Sequence, residues 1–164
     1  MHILVVDEMH HAIIEGLEEM GAIVHYHPQI HTSEIAGMLE KMDGLVVRSK
    51  VFVDESLLAN APNIRFIARS GSGTDNLDES YLKNRGISIL NAPEGNRDAV
   101  GDHTVGMMLA LINNFKKAGR EIAQGTWDRE GNRGYEMSEL TIGIYGFGHT
   151  GGAVAKTINP YSQF

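Results

Sequence analysis

An α/β fold with a doubly wound parallel sheet is predicted by three features of this 164-residue sequence. Short apolar runs recur through residues 1–90, and their β-branched and aliphatic composition is typical of buried parallel strands. The stretches between these runs carry apolar residues at helical spacing. A glycine-rich turn follows one more apolar run near the end of the chain. Strands that alternate with helices in this way form a parallel sheet covered by helices on both faces.

The predicted strands cover residues 3–6, 22–24, 44–47, 65–68 and 87–90. The predicted helices end at Gly21, before Gly44, at Pro62 (a short helix through Leu57 and Leu58) and at Gly86. Thr32-Ser33 and Asp54 are candidate N-caps. Five strands favour a flavodoxin-like sheet, in which ligands bind beyond the carboxyl ends of the strands.

The second part of the chain is predicted to begin with a long helix over residues 98–117, stopped by Gly119. Its middle is apolar nearly all round, so we expect it to be buried between layers or between subunits. Residues 124–138 are polar and irregular, as in an extended linker. Residues 140–145 are predicted to form another strand, and residues 152–158 a helix. We therefore expect one domain over 1–97 and a second region over 98–164.

The composition excludes several classes of function. The absence of cysteine excludes disulfides, thiolate metal sites and a cysteine nucleophile. The net charge of −7 argues against a nucleic-acid-binding face. The sequence starts directly with a strand, and its longest apolar stretch, residues 105–112, is too short for a bilayer. We therefore expect a soluble cytoplasmic protein with no membrane or nucleic-acid partner.

A metal site is not expected among the histidines. His25, His27 and His31 alternate on and after the second predicted strand, where a metal site is conceivable. A solvent-facing strand edge is the interpretation we favour.

The turn Gly146-Phe147-Gly148-His149-Thr150-Gly151 fits the pattern Gly-x-Gly-x-x-Gly between a predicted strand and a predicted helix. In a dinucleotide site, the first glycine allows the tight turn, the second lets the backbone approach a pyrophosphate, and the third lets helix and strand pack closely. The helix N-terminus then offers free N–H groups to the phosphates. The turn therefore predicts the start of a Rossmann NAD-binding domain, and the alternative is a plain strand–helix turn without a ligand.

The order and spacing of six segments resemble the D-2-hydroxyacid dehydrogenase family, most closely its phosphoglycerate dehydrogenase branch. The segments are residues 47–50, 69–78, 91–96, 100–104, 125–127 and 146–151. The resemblance covers the chain from Ile3 to about Ile158. Departures are Gly101-Asp102, where Ala-Glu is usual in the family, and the tail 159–164, which does not match the family's continuation.

The resemblance implies a two-domain enzyme that transfers a hydride between a nicotinamide and a small anionic 2-hydroxy acid. By resemblance, Arg48, Arg69 and Asn96 bind the substrate, and the backbone of Ser72-Gly73 holds its carboxylate. The turn 146–151 holds the cofactor pyrophosphate, with Thr104 near the nicotinamide. The favoured acid is 3-phosphoglycerate, although hydroxypyruvate and glyoxylate reductases share these motifs. NAD is the expected cofactor, and NADP stays open because the acidic ribose-binding residue is expected beyond residue 164.

The residues themselves agree with an anion site. Arg48 and Ser49 close the third predicted strand and Arg69 to Gly73 the fourth, and two arginines beside a glycine-rich loop suit a carboxylate or phosphate. The alternatives are a surface ion pair for Arg48, and a pair with Asp75 or Asp78 for Arg69. Gly71 and Gly73 could also serve only to make a turn.

No catalytic residue is assigned within this chain. The arginine, carboxylate and histidine that the family uses for chemistry are expected beyond Phe164, and His103 and His149 match positions without that role. We therefore expect the isolated chain to be inactive. Because a lone Rossmann strand exposes apolar surface, we also expect a homodimer through the 98–117 helix and the 124–139 arm.

Two other functions stay open on sequence alone. One is a non-catalytic truncated subunit that binds a full-length partner. The other is a receiver-like signalling domain, which the start Ile3-Leu4-Val5-Val6-Asp7-Glu8 resembles. The second lacks the aspartate that a receiver needs at the end of strand three and the lysine it needs after strand five.

Overall fold

A computed structural model describes residues 1–161, which divide into two compact units, residues 1–93 and residues from Glu94 onward. The first unit contains a five-stranded parallel sheet in the order β2-β1-β3-β4-β5. Its strands are β1 (His2–Val5), β2 (Ile23–Tyr26), β3 (Gly44–Val47), β4 (Phe66–Arg69) and β5 (Ser88–Asn91). This order is that of a flavodoxin-like sheet, so the predicted fold class is confirmed.

The sheet is covered on both faces because residues 3–6 and 45–47, in or just after the central strands β1 and β3, are apolar and buried. Side chains alternate between faces along a strand, so Leu4 and Val6 lie in one core cluster and Ile3 and Val5 in the other. The helices that contribute to these clusters are α1 (Ala12–Glu19), α2 (Thr32–Met38, continued by the 3-10 turn Leu39–Lys41) and α3 (Glu79–Asn84). The carboxyl edge of the sheet is thereby held on a rigid support.

Two local predictions in the first unit were wrong. The N-cap of α2 is His31, whose side chain accepts from the backbone N–H of Ser33, instead of Thr32 or Ser33. Residues 55–60 form successive turns instead of a helix. The carboxylate of Asp54 does accept a backbone N–H three residues on, from Leu57 at 2.9 Å, but Pro62 leaves no room for a helix to propagate.

Up to residue 161, the second unit contains the α-helices α4 (Arg97–Ile112), α5 (Phe115–Ala123) and α6 (His149–Ile158), and the 3-10 turns Met137–Glu139 and Asn159–Tyr161. The single helix predicted over 98–117 is therefore wrong. Asn114 adopts a left-handed conformation with φ 54°, which breaks the helix and lets α5 start in a new direction. Gly119 lies inside α5, and the left-handed glycine that follows α5 is Gly125, with φ +75°.

Helices α4 and α6 pack against each other around Val105, Val154 and Ile158, joined by Met137. A Cβ atom at Gly101 would lie 3.2 Å from the carbonyl of Ala153 on α6. The glycine at 101 therefore allows a close helix crossing. Met107 and Leu111 of α4 are exposed in the single chain, so burial of α4 between subunits stays a prediction.

The predicted strand over 140–145 is not formed, and α6 begins at His149 instead of residue 152. Residues 140–144 have no ladder partner within the described part of the chain, and a strand needs a neighbour to satisfy its backbone groups. The apolar pattern in this segment still has a structural role, because Ile142 and Ile144 pack against the α4–α6 core.

The arm before this segment is irregular, as predicted, but it is not a free linker. The ammonium of Lys117 on α5 donates to the carbonyl of Gly131 at 2.7 Å and lies 3.8 Å from the carboxylate of Asp128. Asn132 donates to Glu121 on α5. These contacts hold residues 126–134 against α5. No helix within residues 1–161 is long and apolar enough to cross a bilayer.

Candidate functional site

The carboxyl ends of β3, β4 and β5 meet at one edge of the sheet. The ladder register pairs Val47 with Arg69 and Arg69 with Asn91. Ser70 continues the ladder by donating its backbone N–H to the carbonyl of Val47 at 2.8 Å. Since neighbouring strands lie about 5 Å apart, Arg48, Arg69 and the loop after Arg69 occupy adjacent positions at this edge.

Arg48 is positioned by a buried carboxylate. Its backbone N–H donates to Oδ2 of Asp7 at 2.6 Å, and Asp7 is the buried acidic residue of the described chain, at 8% exposure. Asp7 follows β1, so this bond ties the ends of two neighbouring strands together. The guanidinium of Arg48 itself is exposed.

Lys50 adds a second tie at the same edge. Its ammonium donates to the carbonyl of Val6 at 2.6 Å and to the carbonyl of Pro28. These carbonyls follow β1 and β2, so the side chain of Lys50 joins β3 to two other strand ends. Lys50 is half-buried and its ammonium makes two hydrogen bonds, which makes it a support for the edge.

Arg69 lies folded against its own loop. A Cβ atom at Gly71 would collide with Nη1 of Arg69 and come within 2.9 Å of its Cζ. Gly71 also has φ +149°, a backbone conformation that other residues rarely adopt. Gly71 therefore gives the guanidinium of Arg69 the space that it occupies.

The loop over residues 70–73 is held by hydrogen bonds that its backbone carbonyls accept. The side-chain amide of Asn91 donates to the carbonyl of Ser72 at 2.8 Å, and the backbone N–H of Ala92 donates to the carbonyl of Gly71 at 2.9 Å. Both partners lie at the end of β5 or just after it. The exposed Ser72 and the half-buried Gly73 are thus fixed to the sheet.

The predicted alternative of ion-paired arginines is not what the structure shows. Within residues 1–161, neither Arg48 nor Arg69 forms a salt bridge. Asp78 instead accepts the backbone N–H of Tyr81 as the N-cap of α3. Nε of Arg69 is buried and has no hydrogen-bond partner. The edge therefore presents two guanidinium groups that are not neutralised by a carboxylate of the described chain.

The glycine turn lies in the second unit and leads directly into α6. Gly146 has φ +90°, and Gly151 packs directly on the carbonyl of Gly146, where a Cβ atom would collide. A Cβ atom at Gly148 would meet no other atom within 4 Å, so packing within the chain does not demand glycine there. Gly148 is the N-cap of α6 and offers no side-chain cap, which leaves the first N–H groups of the helix available.

The remaining predicted site residues also lie in the second unit. His149 is exposed, with Nδ1 3.7 Å from Oε1 of Glu94, and Phe147 and Thr150 are exposed. Asn96 precedes α4 and makes no side-chain cap. The hydroxyl of Thr104 donates to the carbonyl of Val100 at 2.7 Å. The structure thus groups Arg48, Ser49, Arg69, Ser72 and Gly73 in the first unit and places the others in the second.

Sequence reasoning missed the residues that support the site. From the sequence, Asp7 and Asn91 are not predicted to support the site, and Lys50 belongs only to a segment that resembles the family. One signal was present: Asp7 directly follows four apolar residues of a central strand, where an acidic side chain needs a hydrogen-bond donor. The donor, the N–H of Arg48, is 41 residues away along the chain.

The profile of the family described as D-isomer specific 2-hydroxyacid dehydrogenase, catalytic domain, matches residues 3–159. The chain belongs to this family. The family assignment replaces the receiver-like alternative.

Individual dehydrogenases agree with this assignment. The chain is 34% identical over 161 residues to the D-3-phosphoglycerate dehydrogenase of Methanocaldococcus jannaschii, an alignment that covers 98% of this chain and 30% of that protein. It is 33% identical over 127 residues to the hydroxypyruvate reductase of Thermotoga maritima, covering 77% of this chain and 42% of that one. The chain therefore spans less than half the length of either dehydrogenase.

The fold also matches a solved structure. The D-lactate dehydrogenase of Aquifex aeolicus, crystallised with NAD and lactic acid, superposes with a TM-score of 0.83. The match covers 97% of this chain and 48% of that protein at 22% identity, a level that shows the fold alone.

Proposed function

We propose that this chain supplies the substrate-binding part and the first cofactor-binding segment of an NAD-dependent D-2-hydroxyacid dehydrogenase. The observation that carries the proposal is the pair of arginines, Arg48 and Arg69, at adjacent strand ends without a carboxylate partner in the described chain. Such guanidinium groups form charge-assisted, often bidentate hydrogen bonds with carboxylates and phosphates. Ser49, Ser72 and Gly73 border the same edge.

The favoured substrate is 3-phosphoglycerate. This molecule has an anionic group at each end, and the edge has two cationic side chains and the loop at Ser72 and Gly73, which follows the engaged N–H groups of residues 70 and 71. We assign the carboxylate to the loop at Ser72 and Gly73, and the phosphate to the arginines. Asn96, in the second unit, stays a substrate contact that the family resemblance implies. Acids with a single anionic group, such as hydroxypyruvate or glyoxylate, would use fewer of these residues.

The proposed cofactor site is the turn over residues 146–151. The N-terminus of α6 would receive the pyrophosphate, with His149 and Thr150 beside it and Thr104 toward the nicotinamide. The open space beside Gly148 supports this assignment, because a ligand there would meet no side chain at that position. When bound, a nicotinamide supplies or accepts the hydride. The choice between NAD, which we favour, and NADP depends on a residue outside this chain.

Substrate binding can be tested on the chain itself by isothermal titration with 3-phosphoglycerate. We expect saturable binding that Arg48→Ala and Arg69→Ala each weaken by about tenfold, since each removes a charge-assisted contact. Arg65→Ala is the matched control, because Arg65 precedes β4 at the opposite end of the strand from Arg69 and pairs with Asp43. Equal effects of all three substitutions would contradict the proposed site.

Turnover is a separate test. The proposal places the catalytic histidine, its carboxylate and the substrate-polarising arginine outside this chain, so the chain alone should not oxidise NADH with phosphohydroxypyruvate. Measured turnover would contradict the placement of the chemistry but leave the anion site untouched.

We further propose that the chain forms a homodimer through the 98–117 segment and the 124–139 arm. Large apolar side chains are exposed along this surface, which is unusual for a solvated monomer. They are Met107, Leu111, Phe115, Ile122, Trp127 and Tyr135. Light scattering after size exclusion should show a dimer at micromolar concentration that Leu111→Lys dissociates, whereas Met20→Lys, at an equally exposed position of the first unit, should not. A monomeric wild type would refute this proposal.

A further inference from the structure

Two histidines form a pair on neighbouring strands of the sheet. Nδ1 of His2 on β1 lies 3.0 Å from Nε2 of His25 on β2, and the two rings stack with 5.3 Å between centroids and 23° between planes. Parallel pairing aligns His2 with Ile23 and Leu4 with His25, so both rings project from the same face. Both residues are half-buried and therefore remain accessible to small ions.

This pair differs from the histidine arrangement considered from the sequence, which grouped His25 with His27 and His31. His31 is used as the N-cap of α2, where its Nδ1 also lies 2.7 Å from the hydroxyl of Ser33. His27 is exposed, and no side-chain contact is recorded for it within residues 1–161. The partner of His25 comes from β1, 23 residues earlier, which spacing along one strand could not reveal.

The separation of the two nitrogens suits a metal chelate. An ion placed about 2.1 Å from both nitrogens would subtend an angle of about 90°, the angle between adjacent ligands in tetragonal or octahedral coordination. Imidazole is a preferred ligand of the late first-row divalent metals, and Cu²⁺ and Ni²⁺ adopt this geometry. The proton now shared between the rings would move to the outer nitrogen of its own ring, so neutral histidines bind without losing a proton.

One carboxylate lies beside the pair. A carboxylate oxygen of Asp43 accepts the backbone N–H of His2 at 2.7 Å, and the other oxygen lies 3.9 Å from Nε of Arg65. Within residues 1–161 no third metal-binding side chain completes a cluster, so water would fill the other coordination positions.

We propose that His2 and His25 form a two-histidine site for a divalent late transition metal, of the Ni²⁺ or Cu²⁺ type, that clamps the edge strand β2 to β1. The site lies away from the carboxyl edge that holds Arg48 and Arg69, and it does not depend on the proposed dehydrogenase function.

The test is titration of the untagged chain with Ni²⁺, followed by calorimetry and by the melting temperature. We expect one ion per chain and a higher melting temperature with Ni²⁺. His25→Gln should weaken binding at least about tenfold. Glutamine can keep the hydrogen bond to His2, so loss of binding with an unchanged circular dichroism spectrum is assigned to the lost ligand.

Two controls separate this site from other histidines. His27→Gln changes an exposed neighbour on the same strand end and should leave Ni²⁺ affinity unchanged. The double variant His10→Gln/His11→Gln removes the adjacent pair before α1 and should also have no effect. Binding that survives His25→Gln, or that the double variant abolishes, would overturn the proposal.

Discussion

The carboxylate of Asp7 and the backbone N–H of Arg48 are joined by a 2.6 Å hydrogen bond between the ends of β1 and β3. The acceptor is buried and the arginine side chain is exposed. The buried carboxylate of Asp7 thus fixes the backbone position from which the exposed side chain of Arg48 extends.

The Asp7–Arg48 bond should contribute to the stability of the fold. Asp7→Ala should lower the free energy of unfolding by about 1–3 kcal/mol, because it leaves the Arg48 N–H without its acceptor. Asp7→Asn keeps an acceptor oxygen and should cost less. Urea unfolding followed by circular dichroism measures both, with Glu8→Ala, at the exposed neighbouring acid, as the control. Equal stability of Asp7→Ala and Glu8→Ala would contradict the role of the bond.

The second prediction concerns Gly71. Gly71→Ala should destabilise the chain by about 1–3 kcal/mol, since alanine rarely adopts its backbone conformation and the new methyl group would displace the Arg69 guanidinium. The same variant should weaken binding of 3-phosphoglycerate. Gly37→Ala in α2 is the control, because a Cβ atom there meets no other atom within 4 Å. That substitution should be neutral or stabilising. A fully stable Gly71→Ala would show that the loop tolerates a side chain.

Two glycines of α4 provide a matched comparison. Gly106→Ala should stabilise the protein by about 1 kcal/mol, because alanine is the better helix former and the added methyl group enters open space. Gly101→Ala gains the same propensity but places the methyl group 3.1 Å from Oγ1 of Thr157 and 3.2 Å from the Ala153 carbonyl. The stability gained by Gly101→Ala, measured as the rise in melting temperature, should therefore be smaller than that gained by Gly106→Ala. Identical gains would mean that the α4–α6 crossing relaxes without cost.

Asp54 should make the free energy of unfolding depend on pH. Its carboxylate accepts the N–H of Leu57 and the hydroxyl of Ser56, and the first of these bonds does most to hold its pKa below the usual 3.8. A lowered folded-state pKa stabilises the protein above pH 3.8, and this contribution is lost as pH falls through the folded-state pKa.

Asp54→Ala should therefore cost about 1 kcal/mol at neutral pH and progressively less as pH falls below about 4. Chemical unfolding of wild type and variant across this range measures the difference. Glu55 is an exposed acid. The stability difference between Glu55→Ala and wild type should therefore not shrink as pH falls. A cost that stays constant with pH would rule out the carboxylate as its source.

The sheet could be predicted because the residues that define each strand and each helix end are adjacent in the sequence. The four-residue apolar runs at β1 and β3 are stable only when buried. Gly21 and Gly86, with φ of +81° and +70°, follow the ends of α1 and α3. The placement of Arg48 and Arg69 at one edge followed from the parallel topology alone. The carboxyl edge of such a sheet gathers residues that are far apart in sequence.

The features that sequence reasoning missed depend on distant or specific contacts. The helix break at Asn114 leaves the apolar spacing around it nearly undisturbed, so periodicity did not reveal it. The partners of Asp7, Lys50 and His25 lie on another strand or just after one. The segment 140–145 has the composition of a strand, but composition does not supply the neighbour that a strand requires.

The exposed position of Trp127 gives the chain a built-in optical reporter. It is the only tryptophan, and 79% of its surface is in contact with solvent in the isolated chain. An indole that passes from water to an apolar contact emits at shorter wavelength, so coverage of the arm by a second copy would appear as a concentration-dependent blue shift. Assembly at this surface can therefore be followed without a label.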